Sequence, residues 1–146
     1  KLKLFQQCLQ DQNLELEKFY KSQNIEFELF NFSENILDYF SKVDVAITRA
    51  GSSMIAELIN CNIPFISIPF PYSAEKHQLK NAEYFEKKGY GFLVEEQDIG
   101  LKLFTLIKMI HKDKNLLIQI KEKQKNHSDK SVFKKVDMHI KEIISE

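Results

Sequence analysis

The stretch Val43-Asp44-Val45-Ala46-Ile47-Thr48-Arg49-Ala50-Gly51-Ser52-Ser53-Met54-Ile55-Ala56-Glu57-Leu58-Ile59-Asn60 decides the fold. Val43 to Thr48 reads as a strand, Gly51 as a tight turn and Ser52 to Asn60 as a helix. Outward from it the same alternation continues. Upstream, residues 1–6 read as a short strand and Asn13 to Gln23 as a helix with Leu14, Leu16, Phe19 and Tyr20 as its apolar positions. Ile25 to Phe30 alternates apolar and charged residues, the strand period. Ser33 then reads as the N-cap of a helix over Glu34 to Ser41, with Ile36, Leu37, Tyr39 and Phe40 turned inward. Downstream, Ile63 to Ile68 is an apolar strand, and Pro69-Phe70-Pro71-Tyr72-Ser73 a stiff loop. Lys76 to Lys88 is a helix ended by Gly89, and Tyr90 to Val94 a last strand. Everything from Asp98 onward reads as helix in two or three segments. Alternating strands and helices mean an α/β fold with a Rossmann-like parallel sheet.

Composition closes several function classes. Twenty-one basic and 21 acidic residues balance, whereas a whole-chain nucleic-acid binder would be basic. Apolar residues at 43% suffice for a packed core. No apolar run approaches the ~20 residues of a membrane-spanning helix, and Lys1-Leu2-Lys3-Leu4-Phe5 runs into polar Gln6-Gln7 without a signal-peptide core. Cys8 and Cys61 form no metal-like pair and read as buried or half-buried free thiols in a reducing cytoplasm. Four scattered histidines lack ligand spacing, so no metal and no cofactor are expected. The charge is uneven: residues 1–100 hold 10 basic and 15 acidic groups, residues 101–146 hold 11 and 6. The basic tail is either a solvated helix face or a surface for anionic lipid.

Punctuation gathers in one region. All four glycines and all three prolines fall between positions 51 and 100, and a single arginine, Arg49, stands among twenty lysines. A strand–glycine–helix turn exposes the unpaired N–H groups of a helix N-terminus, a ready anion site. Gly51 clears the approach, and Ser52 and Ser53 can add hydroxyl donors; the same residues also suit simple capping. Glu57, five residues past Ser52, either faces solvent or accepts both hydroxyls of a ribose. Arg49 offers a planar fork for a site, or an ion pair at the sheet edge. His77 and Gln78, at the start of the next helix, offer neutral donors and acceptors that suit sugar hydroxyls.

Arg49-Ala50-Gly51-Ser52-Ser53-x-x-x-Glu57-Leu58, followed by Ile68-Pro69-x-Pro71-Tyr72-x-x-x-x-His77-Gln78-x-x-Asn81-Ala82, resembles the MurG family of peptidoglycan glycosyltransferases. The resemblance runs from about Lys1 to Val94, is most specific over Phe32 to Ala82, and extends to the helical tail only in kind. It implies the C-terminal, donor-binding half of a two-domain GT-B enzyme. Such enzymes move N-acetylglucosamine from UDP-N-acetylglucosamine onto a lipid-linked muramoyl-pentapeptide, at the inner face of the bacterial plasma membrane. Carried over by residue, the backbone at Phe32 and Ser33 would hold uracil. The amides of Ser52, Ser53 and Met54 would face the diphosphate. Glu57 would grip the ribose, and His77 and Gln78 would contact the sugar. Many relatives carry two glutamines where this chain has His77 and Gln78. Arg49 would support the loop.

The resemblance also marks what is lacking. The acceptor-binding N-terminal domain and the donor domain's first strand, helix and glycine-rich loop have no counterpart here; no glycine precedes Gly51. In the strand order 3-2-1-4-5-6 the strands at Lys1–Phe5 and Val43–Thr48 would flank a gap. The expected organisation is a donor-binding α/β domain over residues 1–97, incomplete at its N-terminus, and C-terminal helices over 98–146. The chain is expected to be silent in catalysis by itself. A subunit of another split N-acetylglucosaminyltransferase, or a non-catalytic UDP-sugar-binding module, are the alternatives.

Overall fold

The structure is a computed structural model and describes residues 2–127 and 130–144. Lys1, Ser128, Asp129, Ser145 and Glu146, which the sequence reading includes in its first strand and last helices, lie outside the described residues. The chain divides into two compact units between Lys42 and Val43.

The first unit is a βαβ arrangement. Strand β1 (Lys3–Gln7) pairs in parallel with β2 (Glu26–Phe30), from Lys3↔Glu26 to Gln7↔Phe30, and helix α1 (Asn13–Ser22) connects them. Asn24, at φ 53°, takes the left-handed position after α1 that asparagine tolerates better than most residues. Leu16 and Tyr20, one helical turn apart, are half-buried, and the Tyr20 hydroxyl donates to Gln6 Oε1. Leu14 and Phe19 remain exposed, against the expectation. The predicted helix over Glu34–Ser41 shortens to α2 (Leu37–Phe40). Ser33 does not cap it, because Asn35 holds the entering turn by donating to Asp38 Oδ1 at 3.0 Å. Tyr39 stacks on Phe30 with centroids 4.0 Å apart, and Leu37 stays exposed.

The second unit carries a three-stranded parallel sheet in the order β3-β4-β5. Its strands are β3 (Ala46–Thr48), β4 (Phe65–Ser67) and β5 (Gly91–Leu93). Strand β4 starts only after Pro64, which has no N–H to give the ladder. Its carbonyl accepts from Ala46 N at 2.9 Å, and strand pairing begins at Ala46↔Phe65. Helix α3 (Ser52–Asn60) buries Ile55, Leu58 and Ile59, and α4 (His77–Lys88) buries Ala82. Gly89, at φ 73°, ends α4 as the sequence predicts. After a π-helical turn over Ile99–Leu103 come α5 (Phe104–Lys112), α6 (Asn115–Lys125) and α7 (Lys130–Ile144).

Two features lock this unit. Gly91 lies opposite Phe65 in the β4–β5 register, and a Cβ there would sit 2.6 Å from both the Phe65 ring and its carbonyl oxygen. Gln124 of α6, only 2% exposed, donates from Nε2 to Ile63 O at 3.0 Å and Tyr90 O at 2.7 Å. Those carbonyls precede β4 and β5, so one amide group clamps both strand entries. Ile66, Ile68 and Val94 pack with Ile110 of α5 and Leu117 of α6. Helices α5 and α6 therefore share the sheet's core. Cys8 is buried, but Cys61 is exposed, correcting its expected burial, because it falls just past the last turn of α3.

Candidate functional site

The candidate site is built at the carboxyl end of β3, where Thr48 ends the strand and Ser52 starts α3. Gly51 is the N-cap residue in an extended conformation (φ −69°, ψ 136°), and no side chain caps the helix. The first intrahelical bond runs from Ile55 N to Gly51 O at 3.0 Å. The N–H groups of Ser52, Ser53 and Met54 therefore point out of the helix end without intrahelical acceptors, beside the positive end of its dipole. Ser52 and Ser53 lie inside the helix, so neither acts as the capping residue. A Cβ built on Gly51 would meet nothing within 4 Å, so the space beside this residue is open.

Glu57 is exposed on α3, five residues beyond Ser52 and so about 7.5 Å farther along the axis. It follows Ser53 by one turn, on the face opposite buried Ile55, Leu58 and Ile59. Side chains of a helix lean toward its N-terminus, which brings the Glu57 carboxylate back toward the open amides.

Arg49 knits the loops at this sheet edge. Its Nη1 donates to Ile68 O at 3.4 Å and Pro69 O at 3.5 Å, and pairs with Glu96 at 2.5 Å. The guanidinium also lies 5.6 Å from the Phe70 ring centroid. One guanidinium nitrogen thus joins the end of β3, the proline loop after β4 and the segment after β5. Asn81 of α4 donates to Ala50 O at 3.3 Å and ties α4 to the glycine turn.

The start of α4 has a defined polarity. Phe70 N donates to Gln78 Oε1 at 2.9 Å, so the Gln78 amide turns its N–H groups away from the loop. His77 Nδ1 lies 2.8 Å from Ala74 O; a carbonyl only accepts, so Nδ1 carries a proton, which in the uncharged ring leaves Nε2 as an acceptor. An acceptor and a donor stand on adjacent residues, a pairing that suits hydroxyls, which do both. Glu75 and Lys76, just before, are both left-handed, at φ 49° and 55°.

The second unit thus connects Arg49, Gly51, Ser52, Ser53, Met54 and Glu57 with His77 and Gln78 through shared loops. Phe32 and Ser33 follow β2 in the first unit, where Phe32 is 78% exposed. Sequence alone assigns no role to Asn81 or Glu96. Asn81 stands one turn past Gln78 in the quoted motif, which was signal enough; Glu96 carried none beyond the need of a lone arginine for a partner. Among the described residues no group of three or more His, Cys, Asp or Glu side chains could hold a metal ion, and no helix is long and apolar enough to cross a membrane.

Comparison with known proteins gives this arrangement a family. Residues 1–136 match the glycosyltransferase family 28 C-terminal domain. A UDP-N-acetylglucosamine--N-acetylmuramyl-(pentapeptide) pyrophosphoryl-undecaprenol N-acetylglucosamine transferase of Pelagibacter ubique is 32% identical over 100% of this chain and 41% of its own length. The protein of that name from Rickettsia bellii is 34% identical over 86% of this chain and 38% of its own. The chain thus spans about two fifths of these relatives. The crystal structure of Acinetobacter baumannii MurG superposes with a TM-score of 0.77 at 22% identity, over 87% of this chain and 39% of that one, a likeness of fold. On the match over residues 1–136 and the relative aligned along the whole chain, this protein belongs to the glycosyltransferase family 28 C-terminal domains, on their MurG branch.

Proposed function

We propose that this chain is the donor-binding part of an inverting N-acetylglucosaminyltransferase that uses UDP-N-acetylglucosamine and a lipid-linked muramyl acceptor in peptidoglycan synthesis. The observation that carries the reading is the N-terminus of α3, which no side chain caps, with open space beside Gly51 and Glu57 leaning toward it. In this reading the diphosphate lies on the amides of Ser52, Ser53 and Met54, and Glu57 accepts the ribose hydroxyls. Phe32 and Ser33 supply backbone to the uracil. His77 Nε2 and the Gln78 amide share the sugar hydroxyls, and Arg49 braces the loops without touching the ligand. The acceptor hydroxyl attacks the anomeric carbon and gives its proton to a base supplied with the acceptor's domain, the bond to the diphosphate breaks with inversion, and charge grows on the departing phosphate. Preorganised amides and the helix dipole at Ser52 stabilise that charge where it develops.

The acceptor, on this reading, is met through a further domain at the cytoplasmic face of the membrane. The isolated 146-residue chain is then expected to bind nucleotide sugar without transferring it. Robust transfer by the chain alone, assayed with a lipid-linked acceptor, would overturn that.

Calorimetric titration tests the donor site. Glu57→Ala is expected to weaken UDP-N-acetylglucosamine binding roughly tenfold or more, as losing charge-assisted hydrogen bonds of ~1.5–3 kcal/mol requires. Unchanged affinity would remove Glu57 from the ribose. UDP-glucose, titrated beside it, reads how far the acetamido group matters. Gly51→Ala separates ligand from fold. The added methyl has space in the protein and an ordinary φ, so the melting temperature should hold. Nucleotide affinity should fall, because the methyl occupies the approach to the amides.

A further inference from the structure

Beside the proline loop, and away from the α3 turn, lies a cavity of about 450 Å³. Its walls are the loop after β4 and the segment after β5. We propose that this cavity is a second carbohydrate subsite, taking one neutral pyranose ring other than the sugar of the nucleotide donor. The proposal rests on the donor-binding reading above and extends it to a second saccharide.

The volume falls in the range of small-ligand pockets, about 300–1,000 Å³. Two aromatic rings form one wall: Phe70 and Tyr72 meet edge to face, with centroids 5.8 Å apart at 74°. One side of Phe70 is occupied by the Arg49 guanidinium. Tyr72 is 85% exposed although two prolines hold its loop, so it contributes little to the core and stands free to cover a ligand. An aromatic face of this kind takes the C–H face of a sugar ring by apolar contact.

The opposite wall is polar without being strongly charged. Glu95, Glu96 and Gln97 line it, and Lys76 lines it from the loop side. Glu96 is neutralised by Arg49, and Lys76 offsets Glu95, so the cavity has little net charge. A phosphate or other anion would find no net positive charge there, and a bare hydrocarbon would strand the polar lining; neither fits. Hydroxyl groups fit, since carboxylates accept from them and the Gln97 amide both donates and accepts. Ser73 also lines the cavity, with its Oγ buried out of a ligand's reach. The Pro69–Ser73 loop has Gln78 bonded to its backbone, so a ring in the cavity would lie next to the donor sugar's contacts.

The test is amide NMR on the full chain, with the methyl β-glycoside of N-acetylglucosamine as probe. The glycoside should shift the amides of Tyr72, Ser73 and Glu95 to Gln97 saturably, both without nucleotide and with UDP-N-acetylglucosamine saturating. Tyr72→Ala, at a side chain too exposed to matter for folding, should weaken the glycoside by about fivefold and leave UDP affinity within about twofold. Glu95→Gln should weaken it too. Amides that do not move, or that move only until UDP-N-acetylglucosamine displaces the glycoside, overturn the proposal; displacement would make the cavity the donor sugar's own. The Ser52 to Met54 amides report nucleotide binding separately, so their silence toward UDP overturns the donor assignment while the cavity amides still answer for the second ring.

Discussion

Replacing Gly91 by valine should destabilise the chain by about 3 kcal/mol or more, at the upper end of overpacking penalties. The first atom of any side chain there arrives 2.6 Å from the Phe65 ring and 2.6 Å from the Phe65 carbonyl oxygen. A ring can turn aside; a carbonyl held in a parallel ladder cannot, because moving it breaks the Phe65↔Gly91 register. Phe65→Leu should therefore rescue only part of the loss. Chemical denaturation followed by circular dichroism measures both variants. Gly100→Ala, whose new methyl meets nothing within 4 Å, is the control and should change little. A Gly91→Val chain as stable as its parent would mean that β4 and β5 are not paired in this register.

The second large effect is expected at Gln124. Gln124→Leu keeps the volume and removes both hydrogen bonds, leaving Ile63 O and Tyr90 O without their donor at buried strand entries. At ~1–3 kcal/mol for each of the two stranded groups, the loss should be roughly 2–6 kcal/mol. Gln124→Glu should do no better, since a carboxylate faces two carbonyl oxygens and the Gln124 Oε1 already lacks a partner among the described residues. Loss confined to a few tenths of a kcal/mol would show that α6 does not clamp the sheet.

How much of this was legible in sequence follows from how local each signal is. Helix α3 falls where Ser52–Asn60 was predicted, because a glycine turn and an apolar spacing of three and four set both ends. Gly89 stopped α4 for an equally local reason, its left-handed backbone. Ser33 misled because a serine before a glutamate imitates a cap, while the bond that set the turn was made by Asn35. Glu96 lies 47 residues from Arg49, and no periodicity reports a pairing across that span. Gln124 was hidden by its neighbours: between lysines it reads as solvent-facing, yet its helix buries Leu117, Ile120 and Gln124 itself. In the site, residue types pointed to anion and hydroxyl chemistry. The outward amide of Gln78 and the acceptor nitrogen of His77 depend on Phe70 N and Ala74 O, which only the folded loop supplies.

Glu75 and Lys76 have a thermodynamic consequence for binding. Two successive non-glycine residues in the left-handed region cost about 1–2 kcal/mol each. Lys76 N donating to Ser73 O at 2.9 Å helps hold them there. That cost is met when the chain folds, so the first turn of α4 reaches any ligand with its rotational freedom already spent. Affinity at His77 and Gln78 is then set mainly by the contacts themselves and loses little to ordering. Relaxing the pair would make a more stable chain and a slacker grip.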